Sequence, residues 1–331
     1  MFYFLCSREI SSLPPVLDDM AQIVGPRAHV ENASDIAAIG RRMKRGFALI
    51  VRGEAGSPSG ALTVGRSMEQ AFTAALVLEK SARVYKLANK LGGVKPLGAV
   101  ESALMHLIYT KKYSRRAEAA HLTAADIGRK TGDDELALRQ AVIDTCNYLA
   151  ANNLVQGTWG NVSVRLDERY MLVTPSGMEY ATLTPYDIVR VDCETLEYEG
   201  ALKPTTEKGL HAQIYRENPD IQAVAHAHPP YTSVYAAAHA PLPISELAQR
   251  FAAAEADGLP STLHAAPSAK YALPGTKALE RSVSAVIGEN RACIMENHGI
   301  AVCGESLAAV ERDSLLIERL AGEFLAESGG N

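Results

Sequence analysis

The chain has 331 residues, of which 47% are apolar, so it is long enough for two domains and can bury a large core. Its net charge of -5 is spread without long runs of one sign, which excludes the electrostatic footprint of a protein that binds nucleic acid or an anionic membrane. No stretch approaches the length of a membrane span, and the 5 scattered cysteines form no Cys-x-x-Cys pair. We therefore expect a cytoplasmic protein with neither nucleic acid nor membrane as a partner.

The N-terminal region opens with MFYFLCSREI, which is too short for a signal peptide and predicts a buried first strand. Further on, the run from Gly65, GRSMEQAFTAALVLEKSARVYK, matches the run from Gly304, GESLAAVERDSLLIERLAGEFL, at an offset of 239 residues (304 minus 65). Each run predicts an amphipathic helix behind a Gly-x-Ser cap, and an apolar strand precedes each, at 48–51 and 292–295. The loop 52–60 has no histidine. The N-terminal region is therefore interpreted as a partial copy of the C-terminal one that has lost its chemistry.

One more helix is predicted before the domain boundary, over 100–109, with Leu104, Leu107 and Ile108 on one stripe. We place the boundary at about residue 120. Residues 1–120 then form a degenerate, non-catalytic half-copy, and residues 121–331 form the complete domain.

Two glycine-containing turns follow the predicted helix 135–151. The segment GTWGNVSVR (157–165) brings glycines close to Asn161, which permits tight backbone approach and exposes N–H groups that can hold an anion. TPSG (174–177) follows a strand at 170–173 and is, by itself, a common turn. Together with the hydroxyls of Thr205 and Thr206, the two turns predict an oxyanion pocket.

Thr206 is predicted to cap a helix that runs to about Arg216, which places Glu207 in the first turn. There the carboxylate is favoured by the helix dipole, and it can serve as a metal ligand, as an acid/base group, or only as a cap. His211 lies four residues further on the same face and is interpreted as structural or as a support for the ligands.

Three histidines form the strongest candidate cluster. His226 and His228 are two apart on a strand that is predicted to begin at Ile221 and is closed by Pro229 and Pro230, and they point to one face, so both imidazoles can reach one cation. His298 stands far downstream, at the end of a second predicted strand and before Gly299. Three neutral imidazoles suit zinc or another borderline divalent metal, such as manganese, cobalt or iron.

These segments resemble the class II aldolase/adducin family from about Asp133 to the C-terminus. The resemblance is carried, in the family's order and spacing, by GTWGNVSVR, TPSGMEY (174–180), KPTTE (203–207), HAH (226–228) and ENHG (296–299). It implies an α/β fold: a three-layer α/β/α domain with a mainly antiparallel central sheet. It also implies a homo-oligomer with the active site at a subunit boundary.

The resemblance also assigns roles by position. His226, His228 and His298 match the metal ligands, and Glu207 matches the catalytic acid/base that can touch the metal. The phosphate of sugar-phosphate members is held by residues that match Gly160, Asn161, Ser176, Gly177, Thr205 and Thr206. Two departures stand out, because the family has serines where this chain has Thr205 and Thr206, and the last tyrosine here is Tyr271 although the aldolases use a tyrosine from a C-terminal tail.

The expected function is that of a lyase in carbohydrate metabolism. A metal-dependent aldolase would cleave a small ketose or ketose phosphate through a metal-stabilised enediolate, with Glu207 moving the proton. Because the tail tyrosine is missing, a metal-dependent decarboxylase of a hydroxy- or oxo-acid on the same site is the alternative. A non-catalytic, adducin-like scaffold is the alternative of another class, and the retained histidines argue against it.

Overall fold

The computed structural model describes residues 10–44, 46–54, 59–112, 121–127, 131–252, 259, 263–288 and 290–327. The chain divides into two compact units, the first comprising Met1–Arg116 with Ser233–His239 and the second Ala117–Thr232 with Ala240–Asn331. Within the described ranges, no helix combines the length and apolar character that crossing a membrane requires. The strand predicted at the start of the chain lies almost entirely outside the described residues.

The first unit is built around a four-stranded sheet in the order β1-β2-β3-β4, in which only β2 and β3 are parallel. Its elements are β1 (Ser12–Leu13), α1 (Asp18–Ile23), β2 (Ala28–Asn32), α2 (Ile36–Met43), β3 (Ala48–Arg52), β4 (Gly60–Thr63), α3 (Met68–Leu87) and α4 (Ala99–Lys112). A 3₁₀ turn, Ala88–Leu91, follows α3.

A buried ion pair lies in the described core of the first unit. The Lys80 ammonium on α3 lies 2.7 Å from the Asp19 carboxylate on α1, with only 5% and 2% of the two side chains exposed. The predicted helix α4 is present, but its apolar stripe is not buried, since Leu104, Leu107 and Ile108 are 41%, 48% and 44% exposed. Its neighbours Ser102 and Met105 are buried instead.

The second unit contains a seven-stranded sheet in the order β7-β6-β5-β8-β11-β10-β9. Its strands are β5 (Gly160–Arg165), β6 (Tyr170–Val173), β7 (Val189–Asp192), β8 (Ala223–Ala227), β9 (Ser268–Ala269), β10 (Ala292–Met295) and β11 (Gly299–Gly304). Every neighbouring pair is antiparallel except β10 and β9. The predicted, mainly antiparallel sheet is therefore confirmed.

Helices cover both faces of this sheet and complete the predicted α/β/α layers. They are α5 (Asp133–Ala151), α6 (Lys208–Glu217), α8 (Ile244–Phe251), α9 (Lys277–Ile287) and α10 (Leu307–Glu327). α5, α8 and α10 pack in one layer, and α6 packs with α9 in the other. The helix α7 (Thr232–Ala238) belongs to the first unit from Ser233 onward. Short 3₁₀ turns occupy Ala124–Ile127, Tyr180–Thr182 and Pro185–Asp187.

The interior of the second unit is apolar and contains four free thiols, those of Cys146, Cys193, Cys293 and Cys303, all buried. Strand β8 consists of three alanines, a valine and His226, and it is buried along its whole length. It lies between β5 and β11, and His226 is in register with Asn161 on one side and Ala301 on the other. The sheet thus carries His226 into the centre of the unit.

The two units share an order of elements. In the first, β2, α2, β3, β4 and α3 follow one another as β9, α9, β10, β11 and α10 do in the second, with one parallel and one antiparallel strand pair in each. Ser67 and Ser306, 239 residues apart, each accept a backbone N–H at the start of the final helix. The predicted partial copy rests on this order and on the sequence match, and it stays a prediction. One difference is clear, because β4 is an edge strand whereas β11 is central.

Candidate metal centre

Three imidazoles from two parts of the sheet meet at one point. His226 belongs to β8, His228 follows directly after it, and His298 lies in the turn between β10 and β11. One ring nitrogen of each histidine lies within 4.8 Å of the corresponding nitrogens of the other two, and the residues are 0%, 7% and 3% exposed. The predicted strand is thus shifted: it begins at Ala223 rather than at Ile221, and His228 lies beyond its end.

The turn that carries His298 depends on its two neighbours. Asn297 adopts a positive φ of 53°, a left-handed conformation that asparagine tolerates better than most residues. At Gly299 a Cβ would stand 2.3 Å from the Ala227 carbonyl oxygen, so no side chain fits there. The sequence Asn-His-Gly therefore serves to bring the His298 ring against β8.

The donor set fits a divalent cation. The Nδ1 of His226 lies 3.0 Å from the Ile300 carbonyl oxygen and donates its hydrogen there, which leaves Nε2 with a free lone pair. That Nε2 lies 2.8 Å from the His228 Nε2. Two ring nitrogens so close require a proton or a cation between them, and with His298 they supply three imidazole ligands of the kind that zinc prefers.

Glu207 completes the cluster. Its Oε2 lies 3.3 Å from the His226 Nε2, its Oε1 lies 3.5 Å from the His298 Nε2, and the residue is 6% exposed. Burial raises the pKa of Glu207, but His226 and His298, together with the hydrogen bond from Asn161, lower it by more. The net pKa lies below 4.5, so the group is a carboxylate at neutral pH.

The start of α6 differs from the prediction. Glu207 itself is the N-cap residue, with non-helical φ and ψ of -97° and 14°, and the helix begins at Lys208. Thr206 is not the cap; instead, the Thr205 hydroxyl accepts the Glu207 N–H at 3.3 Å. Glu207 therefore lies just before the first turn of the helix. Its side chain points to the imidazoles and makes no hydrogen bond to the helix N–H groups.

Behind Glu207 lies a continuous chain of hydrogen bonds between β5 and α6. Asn161 Nδ2 donates to Glu207 Oε2 at 2.9 Å, and Asn161 Oδ1 lies 2.5 Å from His211 Nε2. His211 Nδ1 lies 2.7 Å from the Ser163 hydroxyl, which lies 2.8 Å from the Tyr215 hydroxyl. Burial lowers the pKa of His211 to about 3, against the opposing charge of Glu207, so its ring is neutral.

The residues expected to hold a phosphate come together in part. Ser176 N–H donates to Lys203 O at 2.9 Å and Thr205 N–H donates to Thr174 O at 3.0 Å, so the TPSG and KPTTE segments run side by side. Gly177 and Thr206 are exposed, and Ser176 is half-buried.

Gly160 and Asn161 begin the adjacent strand β5. Gly160 has a φ of 130°, and a Cβ there would stand 2.8 Å from the His226 carbonyl oxygen. The amide of Asn161 is held between Glu207 and His211 rather than turned toward the turns.

Three supporting residues were missed by the sequence reasoning. Tyr180, within the TPSGMEY segment, is buried and donates its hydroxyl to the Gly160 carbonyl at 2.5 Å. Ser163 lies two residues from Asn161 on the same face of β5, and Tyr215 lies four residues after His211 on α6. These spacings were available as signals.

The fold and the cluster define an α/β/α domain with a buried three-histidine, one-carboxylate centre. The pattern of the class II aldolase and adducin N-terminal domain matches residues 140–325. The chain therefore belongs to the class II aldolase and adducin family.

Named relatives agree with this placement. A 5-methylthioribulose-1-phosphate/5-deoxyribulose-1-phosphate aldolase of Rhodospirillum rubrum is 35% identical over 189 residues, which span 57% of this chain and 80% of that protein. The L-fuculose phosphate aldolase of Escherichia coli K12 is 34% identical over 170 residues, 51% of this chain and 74% of that protein. With family membership, these relatives make the chain a lyase of the class II aldolase type.

Solved structures show the same fold. An L-fuculose 1-phosphate aldolase matches with a TM-score of 0.53 and 28% identity, covering 61% of this chain and 90% of that one. A sugar-phosphate aldolase from Thermotoga maritima matches with a TM-score of 0.50 and 21% identity, over 60% of this chain and 98% of that one, and supports the fold alone.

Proposed function

We propose that the second unit is a metal-dependent aldolase that cleaves a small ketose phosphate, with Glu207 as the acid/base. The observation that carries this proposal is the position of the Glu207 carboxylate, whose oxygens face the ring nitrogens of His226 and His298 at 3.3 and 3.5 Å. A base next to a cation site is the arrangement needed to remove a proton beside a carbonyl.

His226, His228 and His298 would hold the metal, and zinc suits three imidazoles better than manganese, cobalt or iron do, although the donor set admits each. A bound cation supplies Lewis acidity toward the carbonyl and hydroxyl oxygens of the substrate. The Ile300 carbonyl keeps the His226 ring in the orientation that turns Nε2 toward the other donors.

Glu207 carries the proton. Glu207 is a carboxylate, with its pKa lowered from the usual value. In the cleavage direction it would accept the proton of the hydroxyl group beyond the bond that breaks, the bond electrons would pass to the enediolate as the aldehyde forms, and Glu207 would then deliver that proton to the carbon next to the carbonyl. In condensation the same carboxylate would remove the proton from that carbon. Asn161 donates its amide hydrogen to Oε2, which also faces His226, whereas Oε1 accepts no hydrogen bond from the described residues and faces His298, so Oε1 is the oxygen available to a proton. Burial excludes water from this carboxylate.

The substrate class follows from the two turns. Ser176, Thr205 and Thr206 offer hydroxyls beside Gly177 along two adjoined segments, as a phosphate requires, while the N–H groups of Ser176 and Thr205 hold the two segments together. The relatives named above are aldolases of sugar phosphates, and we extend that substrate class to this chain. We also assign Gly160 and Asn161, at the start of β5, to the proposed phosphate site. The methyl groups of the two threonines narrow the pocket relative to serines.

Metal content and cleavage together test the proposal. Wild-type protein and a His226→Ala, His228→Ala double variant are reconstituted with Zn²⁺, Mn²⁺, Co²⁺ or Fe²⁺ and analysed for metal. They are then assayed with L-fuculose 1-phosphate, 5-deoxyribulose 1-phosphate and a panel of oxo-acids. We expect near-stoichiometric metal and aldehyde release from a ketose phosphate in wild type only.

Two results would count against this assignment. Carbon dioxide release from oxo-acids without ketose cleavage would establish the decarboxylase in place of the aldolase. Equal absence of metal from wild type and variant would remove the catalytic assignment and favour a scaffold.

Three further expectations belong to the same proposal. The protein assembles as a homo-oligomer, residues 1–120 are non-catalytic, and its compartment is the cytoplasm, where the four buried thiols of the second unit stay reduced. Light scattering tests the first, and a monomer at micromolar concentration would contradict it. Substitutions confined to the first unit that change kcat without changing stability would contradict the second.

A further inference from the structure

We propose that His211 is a positioning residue for Glu207, acting through Asn161 within a one-directional chain of hydrogen bonds that begins at Tyr215. The inference deepens the proposed function and rests on Glu207 being its base. Every member of the chain is buried, and together they connect β5 to α6. Asn161 and Ser163 belong to the strand, and His211 and Tyr215 belong to the helix.

The direction of the chain follows from the orientation of the Asn161 amide. Its Nδ2 lies 2.9 Å from Glu207 Oε2 and can only donate, and its Oδ1 lies 2.5 Å from His211 Nε2 and can only accept. His211 must then donate from Nε2, which leaves Nδ1 as an acceptor for the Ser163 hydroxyl at 2.7 Å. Ser163 in turn accepts from Tyr215 at 2.8 Å, so every link donates toward Glu207.

Because of this direction, His211 does more than fill space: its Nε2–H fixes which end of the Asn161 amide faces Glu207. Without the Nε2–H donor, the Asn161 amide could rotate by half a turn and place Oδ1 against the Glu207 carboxylate, where two acceptors repel each other. With it, a single orientation holds Oε2 and leaves Oε1 toward the imidazoles. A base must be held within about half an ångström of its working position, so loss of this support should lower the rate of proton transfer.

The first arm of the test reads the chain without substrate or metal. Nitrogen NMR of protein labelled with ¹⁵N-histidine, with the His211 signal assigned from a His211→Gln variant, should show one tautomer with Nε2 protonated. Ser163→Ala should raise the fraction of the other tautomer. A His211 protonated at Nδ1, or an equal mixture in wild type, would overturn the proposal.

The second arm measures proton transfer in the zinc-loaded protein, as exchange of the dihydroxyacetone phosphate proton for deuterium in D₂O. His211→Leu should lower kcat by about 10- to 100-fold with little change in KM, as is usual for the loss of a group that orients a catalytic ligand. His211→Gln, which keeps a donor, should recover most of the rate. Ser163→Ala and then Tyr215→Phe should have progressively smaller effects.

Ile214→Val is the matched control, since Ile214 is equally buried on the same helix but outside the chain, and its kcat should stay at the wild-type value. Equal rates for His211→Leu and His211→Gln, or losses that follow melting temperature rather than position in the chain, would refute the inference. If His211→Leu does not fold, the Ser163 and Tyr215 variants and the NMR arm still decide. If the wild-type protein did not exchange the dihydroxyacetone phosphate proton, the proposed function would be wrong. The tautomer of His211 measured by NMR would still test the hydrogen-bond chain by itself.

Discussion

Replacing Gly299 with alanine is the substitution most directly aimed at the metal centre without touching a ligand. Gly299 begins β11 and directly follows His298, while its Cα lies against the β8 backbone that carries His226. An alanine Cβ would stand 2.3 Å from the Ala227 carbonyl oxygen and 3.4 Å from the His226 Cε1. The nearest atom is backbone and cannot rotate away.

The size of the effect can be worked out from that contact. Real Cβ contacts are essentially never under 3.0 Å, so β8 and β11 must separate locally by at least 0.7 Å (3.0 minus 2.3). Metal–ligand distances tolerate only about 0.2 Å, so His298 can no longer reach the same cation as His226 and His228. Overpacking of this kind also costs about 1–3 kcal/mol of folding free energy.

The assay is zinc titration with thermal melting in the presence and absence of zinc. Gly299→Ala should lower zinc affinity by at least about tenfold, because one of three ligands is displaced. It should also reduce the rise in melting temperature that zinc causes. Gly40→Ala is the control, since a Cβ at this exposed helical position has open space and should leave zinc affinity unchanged. Wild-type zinc affinity and stability in Gly299→Ala would refute the close approach of the two strands.

Two further predictions concern stability. Lys80→Met should destabilise the first unit by about 3–5 kcal/mol because it leaves the Asp19 carboxylate buried without its ammonium, and Lys80→Met with Asp19→Leu should recover much of the loss in denaturant titrations; equal losses in the single and double variants would contradict this. Burial raises the pKa of Asp187, but hydrogen bonds from His121, Leu122 and Thr184 lower it by more, to a net value below 3.8. A lowered folded-state pKa stabilises above the unfolded value, so the second unit should lose stability as pH falls through about 4 and below. Asp187→Asn should flatten this dependence, and an unchanged acid profile would count against the role of the carboxylate.

The cluster of three histidines at the candidate metal centre was predictable because its signals are local. A His-x-His pair on a strand fixes two imidazoles on one side, and Asn-His-Gly at a strand end describes a tight turn that presents the third. The helix Lys277–Ile287 is also predictable from the sequence, since Leu279, Val283 and Ile287 repeat with a helical period, and all three are buried. In each case the chemistry and the backbone requirement lie within a few residues.

Other features depend on contacts that a sequence does not contain. The stripe Leu104, Leu107 and Ile108 has the period of a buried face, but α4 buries Ser102 and Met105 instead, because helical period does not say which side meets the core. Similarly, Thr206 has the chemistry of an N-cap residue, yet Glu207 occupies the N-cap position. Its carboxylate contacts imidazoles from β8 and from the β10–β11 turn, which are far from it in sequence.

The hydrogen-bond chain lies between these two cases. The spacing of Asn161 and Ser163, and of His211 and Tyr215, shows that each pair shares a face of its own element. Only the packing of α6 on β5 brings the two faces together in register. Sequence reasoning therefore reached Asn161 and His211, but not Ser163, Tyr215 or the hydrogen bonds that link all four.

The four buried thiols in the core of the second unit can report how often the structure around them opens to solvent. Cys146 and Cys293 are fully buried, and burial raises the pKa of Cys193 to about 11 and of Cys303 to about 12, so thiol reagents cannot react until the surrounding structure opens. In a Cys6→Ser background, the labelling rate measures how often the second unit opens, while the first unit contributes no signal. Differences between metal-loaded and metal-free protein would then report, in units of time, how strongly the cation holds β8, β10 and β11 together.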